Sequence, residues 1–214
     1  MSKIGIIDYK MGNLRSVQKA FEYNGADAVI MTSPSEMAKV DKLVLPGVGS
    51  FADAMKFLHK LGWVEPIYEF VESGKPFLGI CLGLQLIFEG SEEEAVSRDE
   101  LVKGLGILPG KVVRFQEGDG DDRLKVPQMG WNAITWDRED PLYAGMSQNA
   151  YVYFVHSYYV KPTESEKEPI TSARADYGLP FTASVWKDNV WATQFHPEKS
   201  QRVGLQILKN FAAF

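Results

Sequence analysis

The sequence predicts an α/β domain with a mainly parallel central sheet, helices on both faces of the sheet, and antiparallel strands added in the C-terminal half. Short apolar runs at residues 3–7, 28–31, 42–45 and 77–80 alternate with helical patterns in the first half. Such alternation is typical of strand–helix–strand units, whose right-handed crossovers place the strands in parallel. After residue 101 the pattern becomes strand-rich, and the 214 residues suffice for one large domain, residues 1–214.

Helices in the first half are marked by apolar spacing and by glycines. A helix that begins near Leu14 ends at Gly25, because glycine commonly closes a helix. The stretch at residues 52–75 predicts helix interrupted at Gly62. Residues 84–88 are helix-tolerant and predict a further helix directly after the fourth strand.

The second half contains five predicted strands, at residues 105–114, 132–136, 151–160, 181–186 and 190–195. The short polar turn at residues 187–189 predicts a hairpin between the last two. Polar segments at 116–125 and 161–169 predict mobile surface loops, and the acidic run at 89–100 predicts a solvated face. An amphipathic helix from about Val203 is expected to end the chain.

Composition narrows the class of partner. The net charge is −5 and the isoelectric point is near 5.3, which argues against nucleic acid, since phosphate neutralisation needs clustered Lys and Arg. No window approaches the roughly 18 apolar residues that span a bilayer. The first residues have no signal-peptide core and the single cysteine allows no intrachain disulfide, so we expect a reducing cytoplasm. Small molecules or other proteins remain as partners.

The single cysteine lies where the fourth strand meets the next helix. Gly79 and Gly83 stand two residues on either side of Cys81, which leaves room for a tight turn that exposes the thiol. A thiol at the first turn of a helix lies near the positive end of the helix dipole, which favours the thiolate. Cys81 is therefore a candidate nucleophile. The alternative is a small buried hydrophobic residue, which is common for lone cysteines.

The end of the third strand enters a second glycine-containing turn, residues 46–50. Gly47 and Gly49 allow a sharp turn and a close backbone approach, so an amide of residues 47–49 could belong to an oxyanion hole. A plain strand-to-helix turn is the alternative. A phosphate loop is disfavoured because no Gly-Lys-Ser/Thr follows.

A cysteine nucleophile needs a base, and the chain has three histidines. His59 lies on a predicted surface helix, and His156 lies within a strand, where a buried and hydrogen-bonded histidine is the default. His196 ends a hydrophobic strand in front of Pro197, which stops the strand. Glu198 can fold back in that turn and orient the imidazole. The sequence therefore predicts Cys81, His196 and Glu198 as a catalytic triad.

Two motifs carry a resemblance to a known family: Gly-Ile-Cys-Leu-Gly-Leu-Gln at residues 79–85 and Gln-Phe-His-Pro-Glu-Lys-Ser at 194–200. The chain resembles the class I, triad-type glutamine amidotransferases over its whole length. Four further motifs, at residues 8–14, 46–51, 127–132 and 153–158, narrow the resemblance to the amidotransferase subunits of imidazole glycerol phosphate synthase. The resemblance implies a flavodoxin-like fold.

The resemblance also implies roles for individual residues. Cys81 would attack the side-chain amide of glutamine, and His196 would protonate the departing ammonia and later activate water. The oxyanion would be held by the amide of Leu82 and by one amide of the loop that contains Val48 and Gly49. Glutamine would be bound by five further residues: Gly47, Gln85, Glu93, Ser157 and Tyr158. A helix-surface position is the alternative for Gln85.

The resemblance implies a partner but neither a cofactor nor a metal. The family partner is a (β/α)8-barrel cyclase, which uses the ammonia to form imidazole glycerol phosphate in histidine biosynthesis. Asn13, Arg15, Trp131 and Lys199 are the predicted interface and ammonia passage, since a buried passage must be sealed against water. Trp131 as an ordinary core residue is the alternative.

Three rival functions remain open at this point. An amidotransferase subunit for anthranilate or aminodeoxychorismate synthesis would share the two main motifs, but it would not be expected to carry residues 127–132. A lone cysteine hydrolase or peptidase would use the same nucleophile and base. A binding module without activity is disfavoured by the intact Cys81, His196 and Glu198.

Overall fold

The computed structural model describes residues 2–97, 100–116 and 124–214. The α-helices in these ranges are α1 (Leu14–Tyr23), α2 (Phe51–Lys60), α3 (Val64–Glu72), α4 (Leu82–Leu86) and α5 (Gln201–Ala213). The strands are β1 (Lys3–Ile7), β2 (Asp27–Met31), β3 (Lys42–Gly47), β4 (Phe77–Cys81), β5 (Phe88–Ser91), β6 (Val102–Lys103), β7 (Leu108–Arg114), β8 (Gln128–Ile134), β9 (Ala150–His156), β10 (Tyr158–Pro162), β11 (Thr171–Asp176), β12 (Pro180–Lys187) and β13 (Val190–Thr193). Short 3-10 helices occupy Pro34–Lys39, Pro141–Tyr143 and Pro197–Lys199. Within the described ranges, none of the helices combines the length and the apolar character needed to cross a membrane.

The central sheet has seven strands in the order β11-β12-β13-β4-β3-β1-β2. The five strands from β13 to β2 pair in parallel, whereas β12 and β11 are added by antiparallel pairing. The predicted fold class is thereby confirmed. Gly47 is the register partner of Cys81, and Thr193 is the register partner of Ile80. The carboxyl ends of β3, β4 and β13 therefore meet, which is where ligands bind in open parallel sheets.

Both faces of this sheet are covered, which explains the continuously apolar strands. Leu43 and Leu45 of β3 belong to a core cluster that includes α2 and α3, whereas Val44 belongs to the opposite cluster with α1 and α5. Helix α5 begins at Gln201, two residues before its predicted start, and buries Ile207, Leu208 and Phe211. The breaks at Gly25 and Gly62 are confirmed.

The helix after Cys81 is shorter than predicted. It ends at Leu86, and Phe88 begins β5, which pairs in parallel with β7. The prediction of helix through residue 88 was therefore wrong at its end. A short apolar run is compatible with a buried strand as well as with a buried helix, and Phe88 is fully buried opposite Leu108.

The apolar run at residues 151–160 forms two strands instead of one. It breaks at Ser157, so that β9 pairs with β8 in a two-stranded hairpin and β10 pairs with β7 in a second sheet. The hairpin turn at residues 187–189 is confirmed, with Asp188 at φ 52°. Strand β11 was not predicted, because apart from Thr171 its residues Thr-Ser-Ala-Arg-Ala-Asp include none of the β-branched or aromatic side chains that mark a strand.

The polar segments differ in what the structure describes. Residues 117–123 of the loop predicted at 116–125 lie outside the described residues. Of the segment at 161–169, the first two residues end β10, and the Glu164 carboxylate accepts hydrogen bonds from the amides of Ile170 and Thr171. The described part of the acidic run is largely exposed, except that Gly90 and Ser91 are buried in β5.

Candidate active site

Cys81 lies at a sharp turn between β4 and α4. Its φ of 55° is unusual for a residue other than glycine and stores backbone strain. The two flanking glycines make this turn possible: a Cβ on Gly79 would lie 2.9 Å from the carbonyl of Gly83, and a Cβ on Gly83 would lie 1.9 Å from the Leu45 oxygen. The tight strand-to-helix turn predicted from the paired glycines is confirmed. The exposed thiol predicted with it was wrong, because Cys81 is buried, with 7% of its surface exposed.

His196 follows β13 and is held by the neighbouring hairpin. Its amide donates to the Tyr153 carbonyl at 2.9 Å, while the Ser200 hydroxyl donates to the His196 carbonyl at 2.6 Å. The Ser200 oxygen also accepts from the Tyr153 amide at 2.9 Å. Strand β9 therefore fixes the turn in which Pro197 begins a 3-10 helix.

The imidazole of His196 lies between a carboxylate and the thiol. Nδ1 is 2.9 Å from Glu198 Oε1, and both side chains are almost fully buried. Nε2 has no nitrogen or oxygen partner among the described residues, and the ring interacts with Cys81. Burial alone would lower the pKa of His196, but the charge of Cys81 and hydrogen bonds with Cys81 and Glu198 raise it to about 10. His196 is thus an imidazolium at neutral pH.

A cavity of about 300 Å³ opens beside these groups. Most of the residues predicted for the site line it: Cys81, His196, Leu82, Val48, Gly49, Gln85, Glu93, Ser157 and Tyr158. Glu198 lies behind His196, and Gly47 is a buried residue that is not among the lining residues. The volume is at the lower end of the range for small-molecule sites, which begins at roughly 300 Å³.

Gln85 is buried rather than placed on a helix surface. Its Nε2 donates to the Tyr158 carbonyl at 3.0 Å and to Gln194 Oε1 at 3.2 Å. Because a backbone carbonyl only accepts, these bonds fix which end of the Gln85 amide carries nitrogen. The Gln85 side chain therefore presents a defined orientation to the cavity.

Glu93 lies on the opposite wall and caps α2. Its Oε2 accepts from the Phe51 amide at 2.9 Å. Burial raises the pKa of Glu93, the Phe51 hydrogen bond opposes this change, and the neighbouring Glu94 adds to it. The carboxyl is thus partly desolvated and faces the space where a cationic group could bind.

The loop after β3 borders the cavity next to Leu82. Val48 is 39% exposed, and Gly49 has a φ of 96°, which a residue with a side chain rarely adopts. Gly47 packs tightly, because a Cβ there would come within 2.8 Å of Leu82 Cβ and closer still to the Tyr9 hydroxyl. Candidate amide donors for an oxyanion thus approach Cys81 from two strand ends.

Four residues of the site were not predicted from the sequence. Pro127, Val155 and His156 line the cavity, and Gln194 lies beside the sulfur. Sγ of Cys81 is 3.9 Å from the Val155 oxygen and 3.9 Å from Gln194 Nε2. Each of the four lies in a motif noted in the sequence: Pro127 in the motif at 127–132, Val155 and His156 in that at 153–158, and Gln194 in that at 194–200.

The remaining two histidines follow their predictions. His59 is exposed near the end of α2. His156 is buried, with Nδ1 2.8 Å from the Tyr158 oxygen and Nε2 3.0 Å from Gln128 Oε1. His156 therefore has a partner on each ring nitrogen.

The predicted interface residues lie around one exposed apolar surface. Met129 and Trp131 of β8 and Tyr151 of β9 are 66%, 46% and 59% exposed. With Tyr153, which contacts Trp131 edge to face, they share one side of the β8–β9 hairpin, here called the hairpin face. Trp131 is thus not a core residue.

Of the other predicted interface residues, Lys199 belongs to the 3-10 helix that contacts β9. Lys199 and Arg15 are exposed, and Asn13 is half-buried at the start of α1. Helix α1 contacts the 3-10 helix that carries Lys199.

Residues 5–213 match the sequence model of the family described as "Glutamine amidotransferase class-I". The chain belongs to this family. Its members of known name include "Imidazole glycerol phosphate synthase subunit HisH" of Syntrophotalea carbinolica, which is 57% identical over 211 residues, covering 97% of this chain and 98% of that protein. The proteins of the same name from Geobacter sulfurreducens and Methanosarcina acetivorans are 52% and 51% identical over 213 residues, each covering 99% of this chain and 98% of the relative.

Solved amidotransferase structures share the fold at low sequence identity. The structure of PurLQS from Thermotoga maritima superposes with a TM-score of 0.74 at 16% identity, covering 99% of this chain and 98% of that one. A structure described as a glutamine amidotransferase gives 0.72 at 19% identity, with 99% of both chains covered. At these identities the similarity concerns the fold alone.

Proposed function

We propose that this chain is the glutaminase subunit of imidazole glycerol phosphate synthase, which hydrolyses glutamine and delivers the ammonia to a separate cyclase subunit in histidine biosynthesis. The observation that carries the proposal is the position of Cys81 on a strained turn beside the buried pair of His196 and Glu198. Relatives named as subunits of that synthase, at up to 57% identity over nearly the whole chain, support the choice of pathway. The proposed unit is one domain, residues 1–214.

The first step is attack of the Cys81 sulfur on the side-chain amide carbon of glutamine. A bond forms between sulfur and carbon, and the carbonyl electrons move onto oxygen. When the tetrahedral intermediate collapses, the carbon–nitrogen bond breaks and His196 transfers its proton to the departing nitrogen as ammonia. The raised pKa of His196, about 10, supports this role, because the residue holds the required proton at neutral pH.

The second step is hydrolysis of the glutamyl thioester. His196, now neutral, accepts a proton from water while the water oxygen attacks the thioester carbon. Collapse of this intermediate releases glutamate and the thiolate, and His196 is again an imidazolium. Glu198 holds Nδ1 of His196, which keeps Nε2 directed at the reacting groups.

The proposed oxyanion donors are the amide of Leu82 and an amide of Val48 or Gly49. Each such donor is worth roughly 10² to 10³ in rate. The tight packing of Gly47 against Leu82 supports this assignment, because it brings the two backbone segments together at the Cys81 end of the cavity. Gly47 thus contributes to the substrate site through its small size.

Glutamine is proposed to bind with its amino-acid end away from Cys81. The partly desolvated carboxyl of Glu93 suits the α-ammonium group of the substrate, and Gln85 and the backbone of Ser157 and Tyr158 suit the remaining polar atoms. The Tyr158 carbonyl already accepts from Gln85, so its own contribution to glutamine would come from the amide.

The proposed partner is the (β/α)8-barrel cyclase, and its docking site is the hairpin face with Asn13, Arg15 and Lys199 beside it. Exposed aromatic and methionine side chains in one patch are typical of protein interfaces. The patch is continuous with the active site, because Val155 is paired with Met129 across the hairpin and its carbonyl contacts Cys81. Ammonia released at Cys81 would thus have a short path to a partner docked there.

The test is glutamate release from glutamine by the chain alone, and by the chain with the barrel cyclase and its nucleotide ligand. We expect low activity alone and a large increase in the mixture, and no activity in Cys81→Ala. Equal rates in both samples would assign the chain to an independent hydrolase, and the pathway would be wrong.

The docking site is tested with Trp131→Ala. We expect glutamine hydrolysis to continue while the product formed per glutamate falls, because an unsealed junction loses ammonia to solvent. Tyr23→Ala is the matched control, since Tyr23 is an aromatic residue that is 78% exposed on α1. An unchanged ratio in Trp131→Ala would remove this residue from the ammonia path.

A further inference from the structure

Among the described residues, Cys81 has two polar neighbours besides His196, and they favour opposite protonation states of the sulfur. The Val155 carbonyl, 3.9 Å from Sγ, can only accept and therefore favours the neutral thiol. Gln194 Nε2, also 3.9 Å from Sγ, can only donate and therefore favours the thiolate. The two contacts lie on different elements, since Val155 belongs to β9 and Gln194 directly follows β13.

The direction of the Gln194 amide is fixed by a chain of contacts. The Tyr158 carbonyl accepts from Gln85 Nε2 at 3.0 Å, and the same nitrogen donates to Gln194 Oε1 at 3.2 Å. With its oxygen bound by Gln85, Gln194 must direct its nitrogen toward Cys81. Reversing either amide would bring two acceptors or two donors together.

Gln194 is also held too firmly to turn away. Its side chain is fully buried, and its backbone amide donates to the Ala183 carbonyl at 2.8 Å. A buried amide without partners is unfavourable, so the rotamer that uses both ends of the Gln194 amide is favoured.

We propose that Gln194 is a positioning residue that donates a hydrogen bond to the Cys81 thiolate and thereby couples the nucleophile to the substrate-binding side chain of Gln85. The proposal rests on the proposed function only in the role it gives to Gln85. The N–H of Gln194 stabilises the anion and holds the sulfur where His196 and the cavity both meet it. Its oxygen, in turn, orients Gln85.

The test uses Gln194→Leu in the full-length chain. Cys81 is the single cysteine, so the rate of alkylation by iodoacetamide reports on this sulfur alone. We expect the midpoint of the alkylation–pH profile to move up by about one pH unit, since a hydrogen bond to a charged group is worth about 1.5 kcal/mol at the lower limit. In the complex with the cyclase we expect kcat for glutamine to fall about tenfold on the same basis.

Two further variants make the result decisive. Gln206→Leu is the control for loss of an amide elsewhere, because in the described part of the chain the Gln206 side chain bonds only Asn210, also on α5. Gln194→Glu keeps an acceptor for Gln85 but places a carboxylate beside the sulfur, and we expect it to move the midpoint further up. If the leucine variant does not fold, Gln194→Met, which is unbranched and has no N–H to donate, carries the test.

An unchanged or lowered midpoint in a folded Gln194 variant would overturn the proposal, even if kcat fell, because packing alone would then explain the loss. This outcome is separable from failure of the proposed function. A wild-type chain that hydrolyses no glutamine with the cyclase would refute the function, while the alkylation profile would still report whether Gln194 contacts the thiolate.

Discussion

The cavity has a buried histidine at each of two walls, and the pKa values of these two histidines are shifted in opposite directions. His156 is 6% exposed and His196 is 1% exposed, so desolvation acts on both. Burial lowers the pKa of His156 to about 4, since its hydrogen bond to the Tyr158 carbonyl offsets only part of this effect and the nearby His196 lowers the pKa further. At His196 the same burial is outweighed by Cys81 and Glu198, and the pKa rises to about 10.

The difference teaches that the charge of the partners, and not burial, separates the pKa of the proposed catalytic histidine from that of His156. His156 meets a backbone carbonyl and the side-chain amide of Gln128, both neutral. Since the Tyr158 carbonyl only accepts, Nδ1 of His156 carries the hydrogen and Nε2 must accept a hydrogen bond. Exchanging the oxygen and nitrogen positions of the Gln128 side-chain amide places its N–H donor next to Nε2. His156 is thus a neutral link that holds the Tyr158 backbone, which also binds Gln85.

The largest expected effect comes from removing the charge at the His196 wall. Glu198→Gln keeps the shape of the side chain but offers Nδ1 no carboxylate, so the imidazolium is less stable and the ring is less well oriented. We expect glutamine hydrolysis in the complex to fall by roughly 10³ to 10⁴, as for the equivalent change in other triads. The measurement is kcat for glutamate release.

The matched control is Glu22→Gln, an exposed glutamate on α1 far along the chain from the site. We expect it to leave the rate unchanged. A fall of less than tenfold in Glu198→Gln would contradict the assignment of Glu198 to the triad.

A second prediction converts the His156 wall into a copy of the His196 wall. Gln128→Glu would place a carboxylate near Nε2, which is now 3.0 Å from the Gln128 side chain. We expect the pKa of His156 to rise from its low value by about one to three pH units, because an opposite charge at this distance favours the protonated ring. The ring C–H resonances of His156, followed by NMR during a pH titration, measure it.

No rise in the pKa of His156 would mean that the new carboxyl is itself protonated in the buried site. The neutral environment would then dominate over the partner, and the comparison between the two walls would fail. Gln148→Glu serves as the control, since Gln148 bonds the Trp136 backbone at the surface instead of a histidine.

The third prediction concerns stability and pH. The folded pKa of His156, about 4, lies below the ordinary value of 6.5. Below pH 6.5 His156 therefore binds a proton in the unfolded chain but stays neutral in the folded chain. The free energy of unfolding falls as the pH falls from 6.5 to about 4. His156→Asn keeps a donor for the Tyr158 carbonyl but does not titrate.

We therefore expect the wild-type chain to lose stability relative to His156→Asn between pH 6.5 and 4, and the difference to be constant above pH 7. Urea unfolding midpoints of both proteins across this range provide the measurement. A difference that does not change with pH would show that His156 titrates normally and that its burial is weaker than the structure indicates.

The proposed triad could be predicted from the sequence because each member is marked locally. Gly79 and Gly83 identify the turn at Cys81, and Pro197 and Glu198 distinguish His196 from the other histidines. The parallel sheet was likewise predictable, since a strand buried on both faces must be continuously apolar. These features depend on neighbours within a few residues along the chain.

The features that could not be predicted from the sequence depend on contacts between residues on different strands. Gln194 contacts Cys81 only because β13 lies beside β4, and Gln85 contacts the Tyr158 carbonyl only because β10 passes close to α4. The division of residues 151–160 into two strands at Ser157 and the change from helix to strand before Phe88 could not be predicted for the same reason. An apolar run does not show which strand it will pair with. The sequence therefore predicts the proposed reacting groups but not the polar network around them.

The smallest expected effect concerns a buried group that, unlike His156, has no partner. Tyr9 is fully buried under the turn at Gly47, and its hydroxyl has no hydrogen-bond partner among the described residues. Burial raises the pKa of Tyr9, and the charge of Cys81 adds to this, so the phenol stays neutral. Tyr9→Phe removes an unpaired polar atom, and we expect the free energy of unfolding to rise by about 1 kcal/mol. Urea unfolding measures this free energy, with Tyr23→Phe at an exposed tyrosine as control. A loss of stability in Tyr9→Phe would mean that the Tyr9 hydroxyl is hydrogen-bonded in solution, as the ring nitrogens of His156 are in the structure.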